Sequence, residues 1–280
     1  MISIRKIVSS DIESAIQLTD TVEWGFSEED FAFMMELEPD GCFVAFAASK
    51  FIGLTITVSF ENIGWIGNVI VNSDYRDQGI GSLLIKYALS YLVKKGVNTI
   101  GLYSYVDAVP FYERLGFKRD KNFIYLVGSG IGHCDIKTVK PIREENFQKA
   151  LELDKQCFGV SREKLLRRIF SGNRNFCYSI SESDNLVGFI MARVSSPVVE
   201  IGPLISLKGL ESKAIDLLNA LLRKFIGFKV YIGLPEDTTT LISILKEWKF
   251  SEKFKVVRMY YGPRPKDSGC MLAIESLERG

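Results

Sequence analysis

The chain has 280 residues, of which 47% are hydrophobic and 25% charged, and this balance excludes a wholly disordered protein. With 35 Lys and Arg residues against 34 Asp and Glu residues, no overall positive charge favours a nucleic-acid partner. The single histidine argues against a His pair or triad, and five scattered cysteines argue against a zinc ribbon or a disulfide framework. Apolar runs are too short to span a membrane and the chain does not start with a signal peptide, so we expect a cytoplasmic protein.

Charge divides the chain into two parts. Residues 1–127 hold 11 basic and 16 acidic side chains, whereas residues 128–280 hold 24 and 18. A glycine-rich stretch over 127–132 lies between them, and composition of this kind is typical of a linker. We therefore predict a first domain over 1–127, a linker over 128–135 and a second domain over 136–280.

The hydrophobic pattern of the first part predicts elements in the order β-α-α-β-β-β-loop-α-β-α-β. A strand near 2–7 precedes two helices, and a hairpin over 42–60 follows them. A β-branched strand at 65–71 leads through a glycine-containing loop into a helix that ends at Gly96. The fold class is therefore α/β, with a mixed sheet of α+β type. Ligands of such sheets bind outside the carboxyl ends of strands, which draws attention to the loop after Val71.

This loop has the residue pattern of an anion site. Gly79 and Gly81 leave backbone N–H groups uncovered at the start of a helix, where the helix dipole favours negative charge. Arg76 adds a positive charge or holds the shape of the loop. The loop is not a P-loop or a dinucleotide fingerprint, because GxxxxGK[ST] and the third glycine are missing. Alone it is weak support, since glycine-rich turns are common in α/β proteins.

Two motifs together resemble the GNAT superfamily of acyl-CoA-dependent N-acetyltransferases. The pattern Arg76-x-x-Gly79-x-Gly81 is similar to the family's pyrophosphate loop, [QR]xxGx[GA]. The sequence FYERLGF over 111–117 resembles the family's FYxxxGF helix. The resemblance covers essentially all of residues 1–127. Further phrases, such as GWIG over 64–67, resemble a microbial subgroup that carries a second, degenerate acetyltransferase-like domain, which implies tandem GNAT-like folds.

The resemblance implies acetyl-CoA as the co-substrate, with no metal. It implies that the backbone of Val69, Ile70 and Val71 pairs with the pantetheine arm and the acyl carbonyl. It also implies that Tyr112 protonates the departing thiolate, although a packed core tyrosine is the alternative. The family often has Asn seven residues before this tyrosine, and Tyr105 stands there instead, which puts that CoA contact in doubt. The implied pyrophosphate loop consists of Arg76, Asp77, Gln78, Gly79, Ile80, Gly81 and Ser82.

The second part repeats the order of elements, which indicates an internal duplication. Matching Leu217-Leu218 to Leu83-Leu84 places Leu210, Lys213 and Ile215 where Arg76, Gly79 and Gly81 stand, and a second match places Leu245 where Tyr112 stands. Because a β-branched residue in the loop would block the amide cradle, we predict that the second domain binds no CoA and is not catalytic. The pattern does not assign the tail after Tyr261.

The acids of residues 20–40 indicate the kind of amine that accepts the acetyl group. This range holds eight Asp and Glu side chains and no Lys or Arg. An acidic wall would concentrate a cationic amine, and Glu23 is our candidate general base. Alternatively, Glu28, Glu29 and Asp30 only favour a helix start and face water. A basic helix face in the second part is interpreted as solvated, with docking on the acidic first part as the alternative; it consists of Arg162, Lys164, Arg167 and Arg168.

The sequence thus predicts an N-acetyltransferase that moves an acetyl group from acetyl-CoA to a primary amine by direct attack. The expected acceptor is a small cationic metabolite, with no nucleic-acid or membrane partner, and a homodimer is compatible with the sequence. The alternatives are a non-catalytic acyl-CoA sensor and a protein lysine or N-terminal acetyltransferase.

Overall fold

The computed structural model describes residues 2–132, 136–195, 197–266 and 268–280. Its first half contains these helices and strands: β1 (Ile2–Lys6), α1 (Ile12–Asp20), α2 (Glu28–Leu37), β2 (Cys42–Ala47), β3 (Lys50–Phe60), β4 (Ile63–Val71), α3 (Ile80–Lys94), β5 (Thr99–Tyr105), α4 (Val109–Glu113) and β6 (Lys118–Ser129). The predicted order of elements in this half is confirmed.

The second half repeats the order, as predicted from the sequence. Its helices and strands are β7 (Val139–Pro141), α5 (Glu144–Phe158), α6 (Glu163–Asn173), β8 (Cys177–Glu182), β9 (Asn185–Ser195), β10 (Val198–Ser206), α7 (Glu211–Leu222), β11 (Lys229–Pro235), α8 (Thr239–Glu247), β12 (Ser251–Tyr261) and β13 (Met271–Ala273). No helix in the described ranges is long and apolar enough to cross a membrane.

The halves exchange strands within one sheet. Within the described ranges, 13 strands join in the order β1-β2-β3-β4-β5-β12-β6-β11-β10-β9-β8-β7, with β13 paired to β10. Strand β12 of the second half lies between β5 and β6, and β6 of the first half lies between β12 and β11. Both strands that pair with β6 therefore come from the second half, and each half completes the sheet of the other.

The predicted boundary at 127/128 falls inside β6. This strand continues to Ser129, and Gly128 pairs with Val230 of β11, so the first residues of the predicted linker are strand residues. A Cβ on Gly128 would lie 2.6 Å from the ring of Phe250, which explains the glycine by close packing rather than by flexibility. Residues 133–135 of the predicted linker lie outside the described residues.

The helices of the two halves share a hydrophobic core. One buried cluster joins Phe31 of α2 with Phe147 of α5 and Phe170 of α6, and it includes Trp65 of β4. The opposite face of the first half is covered by α3, whose Ile85 packs in a second cluster with residues of β4 and β5. The shared cluster fixes the second half over the α1–α2 face of the first.

Ion pairs between the halves correct the interpretation of the basic face as solvated. Lys164 donates to Glu38 at 3.0 Å, and Arg168 donates to Glu36 at 2.7 Å, so two of the four basic side chains dock on α2 and the residue that follows it. Arg162 is buried and bonded to Asp154 at 2.7 Å. The docking alternative therefore describes this surface.

Glu38 is the central acid of this interface. Its carboxylate accepts hydrogen bonds from Tyr91 at 2.7 Å and from the backbone and hydroxyl of Ser59 at 2.9 and 2.8 Å, and it also pairs with Lys95 and Lys164. Its burial alone would raise the pKa, but these donors together lower the pKa of Glu38 to about 2. The carboxylate is therefore ionised across the physiological range and fixes the end of α2 to both halves.

Candidate active site

Strands β4 and β5 separate at the place where the sequence predicts the acyl site. They pair in parallel over residues 63–65 and 99–101 and diverge beyond Trp65. The pairing of β4 with β3 shifts register there, because Gly67 and Ile70 stand opposite Ile56 and Leu54. A bulge of this kind bends a strand and re-aims its groups. The backbone groups of the separated part of β4 therefore face the gap and are not paired with β5.

Val69, Ile70 and Val71 lie on this separated part, where the resemblance implies a pantetheine arm. The preceding Asn68 has a φ of 50°, which is a left-handed conformation, and its buried amide has no hydrogen-bond partner for either polar atom among the described residues. An unpaired buried amide carries a desolvation penalty of roughly 1–3 kcal/mol. Such a group is unusual in a folded core and marks this bulge as a place where a ligand can bind.

The start of α3 has the geometry of an anion site. Gly79 is the N-cap with a φ of 79°, and the first helical bond runs from Leu83 N to Gly79 O at 3.0 Å. The N–H groups of Ile80, Gly81 and Ser82 come before this bond and have no acceptor within the helix. The first turn carries no acidic side chain. A Cβ on Gly79 would meet nothing within 4 Å, so space is open beside these donors.

Side chains of the loop hold it against the end of β4. Arg76 Nε donates to the carbonyl of Val71 at 3.1 Å, and Gln78 Nε2 donates to the carbonyl of Asp74 at 3.2 Å. Asp77 has a φ of 60°, which turns the chain into the N-cap. Arg76 therefore shapes the loop, and its exposed guanidinium keeps further N–H groups for a ligand.

The second motif packs directly on the first. A Cβ on Gly81 would lie 3.3 Å from Cζ of Phe111, so α4 contacts the first turn of α3. Tyr112 follows Phe111 and is 9% exposed, with its ring centroid 5.9 Å from that of Phe117. Burial raises the pKa of Tyr112, so the phenol keeps its proton at neutral pH. The tyrosine is packed in the core, as its alternative interpretation expected, and it lies on the helix that adjoins the loop.

Glu23 lies in the exposed turn after α1, with a φ of 57°. The adjacent Trp24 hydrogen-bonds to Tyr105 at the end of β5, and this bond partly offsets the burial that raises the pKa of Tyr105. Four of the eight acids in residues 20–40 are bonded to cations, so half of the acidic wall is neutralised. These four are Asp30 with Arg193, Glu36 with Arg168, Glu38 with Lys95 and Lys164, and Asp40 with Lys6.

The corresponding cleft of the second half is filled by the chain itself. Strands β10 and β11 pair over residues 198–201 and 229–232 and then separate. Beyond that point β13 pairs with β10, and Ile274 N donates to the carbonyl of Gly233 of β11 at 3.0 Å. The segment therefore bridges the two strands where β4 and β5 leave a gap in the first half.

The structure corrects the match between the two loops by one residue. Gly53 and Gly188 have the same surroundings in the two halves. A Cβ on Gly53 would contact Ile70 O at 2.9 Å and Leu84 Cδ1 at 3.2 Å. A Cβ on Gly188 would contact Ile205 O at 2.9 Å and Leu217 Cδ1 at 3.3 Å. Leu217 thus corresponds to Leu84, not to Leu83. The second loop is two residues shorter, and Gly209, Ser212 and Ala214 stand where Arg76, Gly79 and Gly81 stand.

The predicted replacement of Tyr112 by Leu245 is confirmed. Phe117 N bonds to Tyr112 O at 3.1 Å, and Phe250 N bonds to Leu245 O at 2.9 Å in the same turn of the second half. The second cleft therefore lacks the phenol as well as both loop glycines. Among the described His, Cys, Asp and Glu residues, no group of three or more is placed to hold a metal ion.

Sequence reasoning missed the segment over 274–280, which runs between the two clefts. Gly202 and Gly67 occupy corresponding positions on β10 and β4. A Cβ on Gly202 would lie 2.9 Å from Cα of Glu275, and one on Gly67 would lie 2.7 Å from Cα of Glu278. The one available signal was the i, i+4 spacing of Glu275 and Arg279, which form a buried ion pair at 2.9 and 3.0 Å.

Comparison with known proteins identifies the family. The family model described as Acetyltransferase (GNAT) family matches residues 5–117, and the model described as Acetyltransferase (GNAT) domain matches residues 150–271. N-alpha-acetyltransferase 30 of Schizosaccharomyces pombe is 32% identical over 114 residues, which are 37% of this chain and 76% of that relative. The chain belongs to the GNAT acetyltransferase family.

Other relatives of this GNAT chain are similar over a part of their length. N-alpha-acetyltransferase 30 of Dictyostelium discoideum is 30% identical over 108 residues, which are 35% of this chain and 58% of that relative. An uncharacterized N-acetyltransferase of Methanocaldococcus jannaschii is 26% identical over 136 residues, which are 41% of this chain and 60% of that relative. The chain thus spans about three fifths of these two relatives.

Solved structures confirm the predicted tandem GNAT fold. A putative acetyltransferase from Pyrococcus horikoshii has a TM-score of 0.84 at 21% identity and covers 100% of this chain and 96% of its own. A tandem GNAT protein from the clavulanic acid biosynthesis pathway has a TM-score of 0.65 at 13% identity and covers 95% and 100%. These likenesses concern the fold alone.

Proposed function

We propose that the first half transfers an acetyl group from acetyl-CoA to a primary amine, and that the second half binds no CoA. The observation that carries the proposal is the contact between the α3 first turn and α4, beside the gap between β4 and β5. This contact joins an anion site, a strand with free backbone groups and a phenol. The corresponding gap of the second half is occupied by β13, which supports a single working cleft.

The residues of the first cleft fit acetyl-CoA. A pyrophosphate needs uncovered N–H donors without competing carboxylates, and the first turn of α3 offers both. The backbone of Val69, Ile70 and Val71 would hold the pantetheine arm, and Asp77 to Ser82 would hold the pyrophosphate. When bound, acetyl-CoA supplies the activated acyl group as a thioester.

The chain's own groups then assist a direct attack. N–H groups on the separated part of β4 are the candidate donors for the oxyanion that forms as the amine adds to the carbonyl. The C–N bond forms, the C–S bond breaks, and Tyr112 would give its proton to the thiolate. The amine must give up a proton as well, and a carboxylate is the expected acceptor of that proton.

We propose a small cationic amine as the acceptor. Support comes from the second half, whose helices and C-terminal segment cover the α1–α2 face of β4. A covered site suits a small molecule, whereas a protein substrate would need an open groove. The names of the curated relatives favour a second candidate, the α-amine of a protein N-terminus. A third candidate is an acyl-CoA sensor without turnover.

Release of CoA thiol in the presence of acetyl-CoA and a panel of amines tests the proposal. The panel contains polyamines, neutral and acidic amines, and short peptides with free N-termini, and mass spectrometry locates the added acetyl group. Preferred turnover of small cationic amines is the expected result. Preferred turnover of peptides would establish the N-terminal candidate, and acetyl-CoA binding with no turnover on any amine would establish the sensor.

A further inference from the structure

We propose that Glu278, carried by the C-terminal segment over 274–280, contacts the acceptor amine and takes its proton. This inference rests on the proposed acetyl transfer and names the carboxylate that the reaction requires. It moves the base from the α1–α2 turn, where sequence reasoning placed it, to a segment anchored in the second half.

The backbone places Glu278 at the gap between β4 and β5. A Cβ on Gly67 would lie 2.7 Å from Cα, 2.9 Å from Cβ and 3.1 Å from the carbonyl oxygen of Glu278. Gly67 lies two residues beyond Trp65, the last β4 residue that pairs with β5, and precedes the bulge at Asn68. Only a glycine admits the segment this closely, so the position of Glu278 on β4 is built into the strand.

The segment is fixed on both sides of Glu278. Arg279 is fully buried and donates to Glu275 at 2.9 and 3.0 Å, while Arg162 Nη1 donates to Gly280 O at 2.5 Å. Upstream, β13 is paired within the second cleft. A residue held by buried ion pairs and a strand has a defined place, which a general base requires.

The carboxylate of Glu278 differs from that of its neighbour Glu275. Glu275 accepts two hydrogen bonds from Arg279, whereas Arg279 Nη1 lies 3.8 Å from Glu278 Oε2, beyond hydrogen-bond range. The Glu278 side chain is 15% exposed, so it is shielded but accessible. The unpartnered amide of Asn68, one residue from Gly67, provides a second polar group for a ligand at the same point.

The surroundings make Glu278 a better proton acceptor than an exposed glutamate. Burial and the nearby carboxylates of Glu200 and Glu275 raise its pKa, while Arg279 and Arg193 oppose that rise. Two tyrosines also face the group, and its negative charge raises their pKa; they are Tyr105 of β5 and Tyr125 of β6. A group with a raised pKa holds the transferred proton more firmly, which general-base catalysis uses.

The proton balance of the step is complete. An ammonium acceptor gives one proton to the Glu278 carboxylate, and the resulting amine forms the C–N bond to the acetyl carbon. As the tetrahedral intermediate collapses and the C–S bond breaks, Tyr112 gives its proton to the thiolate, and the second amine proton replaces the proton that Tyr112 has lost. Water then removes the proton from Glu278 and restores the carboxylate.

The test compares Glu278→Gln with wild type across pH 5.5–10, with the preferred amine from the panel. Because the wild-type enzyme uses the ammonium form with ionised Glu278, its kcat/KM is expected to be flat around neutral pH. The variant depends on free amine, so its kcat/KM is expected to rise about tenfold per pH unit up to the amine pKa. At pH 7 we expect a loss of at least about 100-fold, within the range of general-base contributions.

Controls separate catalysis from folding and from the proposed function. The thermal shift with acetyl-CoA is expected to be the same in Glu278→Gln and wild type, and Glu152→Gln, an exposed acid on α5, is expected to have wild-type kinetics. A wild-type pH profile in Glu278→Gln would overturn the inference and leave the acetyl transfer standing. The same holds if Glu23→Gln, and not Glu278→Gln, loses the flat region of kcat/KM around neutral pH. Absence of turnover by wild type on every amine would overturn the proposed function itself.

Discussion

Replacement of Gly81 by Asp tests where acetyl-CoA binds. Gly81 is the second residue of α3, so Asp there places a carboxylate among the N–H groups proposed to hold the pyrophosphate. The helix itself should tolerate the change, because an acid in the first turn contributes about 0.3–1 kcal/mol and replacement of glycine favours a helix. The added Cβ would lie 3.3 Å from the tip of the Phe111 ring, which needs to move by a few tenths of an ångström. The unliganded variant is therefore expected to melt close to wild type.

The size of the ligand shift follows from the fold. Ligand at 100 times its Kd stabilises the native state by about 2.7 kcal/mol. An unfolding entropy of about 2.1 cal/mol/K per residue gives about 0.6 kcal/mol/K for all 280 residues, and hence a Tm rise of about 5 °C. Unfolding of the first half alone would give a rise of about 10 °C. Because β6 and β12 join the halves, we expect the smaller value and a single transition.

Differential scanning calorimetry with and without acetyl-CoA measures both quantities. Wild type is expected to shift by about 5 °C at 100 times Kd, and Gly81→Asp is expected not to shift at the same ligand concentration. Ser212→Asp adds the same charge at the second residue of α7, the helix position that Gly81 has in α3, and should retain the wild-type shift. Loss of the shift in Ser212→Asp but not in Gly81→Asp would place the ligand in the second cleft and refute the reasoning.

Three further predictions concern catalysis and stability. Tyr112→Phe should lower kcat by roughly 100-fold or more, as expected for a lost proton donor, and leave the acetyl-CoA shift unchanged. Glu38→Gln should lower the free energy of unfolding at pH 7 by up to about 3 kcal/mol, and by less because burial of the charged Lys164 opposes part of the gain. The pKa of Glu38 is about 2 in the folded state against an ordinary value of 4.5, so the difference between variant and wild type should shrink as the pH falls from 4.5 towards 2. Urea denaturation at several pH values measures this difference. A fragment of residues 1–127 should lack cooperative unfolding by circular dichroism, since β6 loses both partner strands.

The sequence predicted the element order and the two motifs because both are local. The apolar pattern of a strand such as β4 and the glycines of a loop can be recognised without knowledge of the neighbouring elements in the fold. The exchange of β6 and β12 was out of reach, since the alternation of apolar residues in a strand does not name its neighbours. Gly128 shows the difficulty: a glycine in a glycine-rich stretch predicts a linker, whereas its pairing with β11 and the ring of Phe250 against it reveal a strand.

The loop match failed for a related reason. Leu83-Leu84 and Leu217-Leu218 are identical pairs, but Leu83 is exposed and Leu84 buried, whereas both Leu217 and Leu218 are buried. Successive residues of a helix point about 100° apart, so a pair of leucines fixes a helical face only when the strand beneath it is known. The loss of the glycines was predicted correctly, while the residues in their places were not.

The duplication accounts for the difference between the two clefts. Gly67 and Gly202 show that both clefts admit the C-terminal segment, but they admit it differently. In the second cleft β13 pairs with β10 at the place that corresponds to the proposed pantetheine site, which supports the proposal that this half binds no CoA. In the first cleft the segment contacts β4 at Gly67, and also at Trp65, whose ring would meet a Cβ on Gly280; both contacts come before the bulge. Closure of the second cleft thereby anchors the segment that places Glu278 beside the first, which makes the second half part of the proposed active site rather than an appended copy.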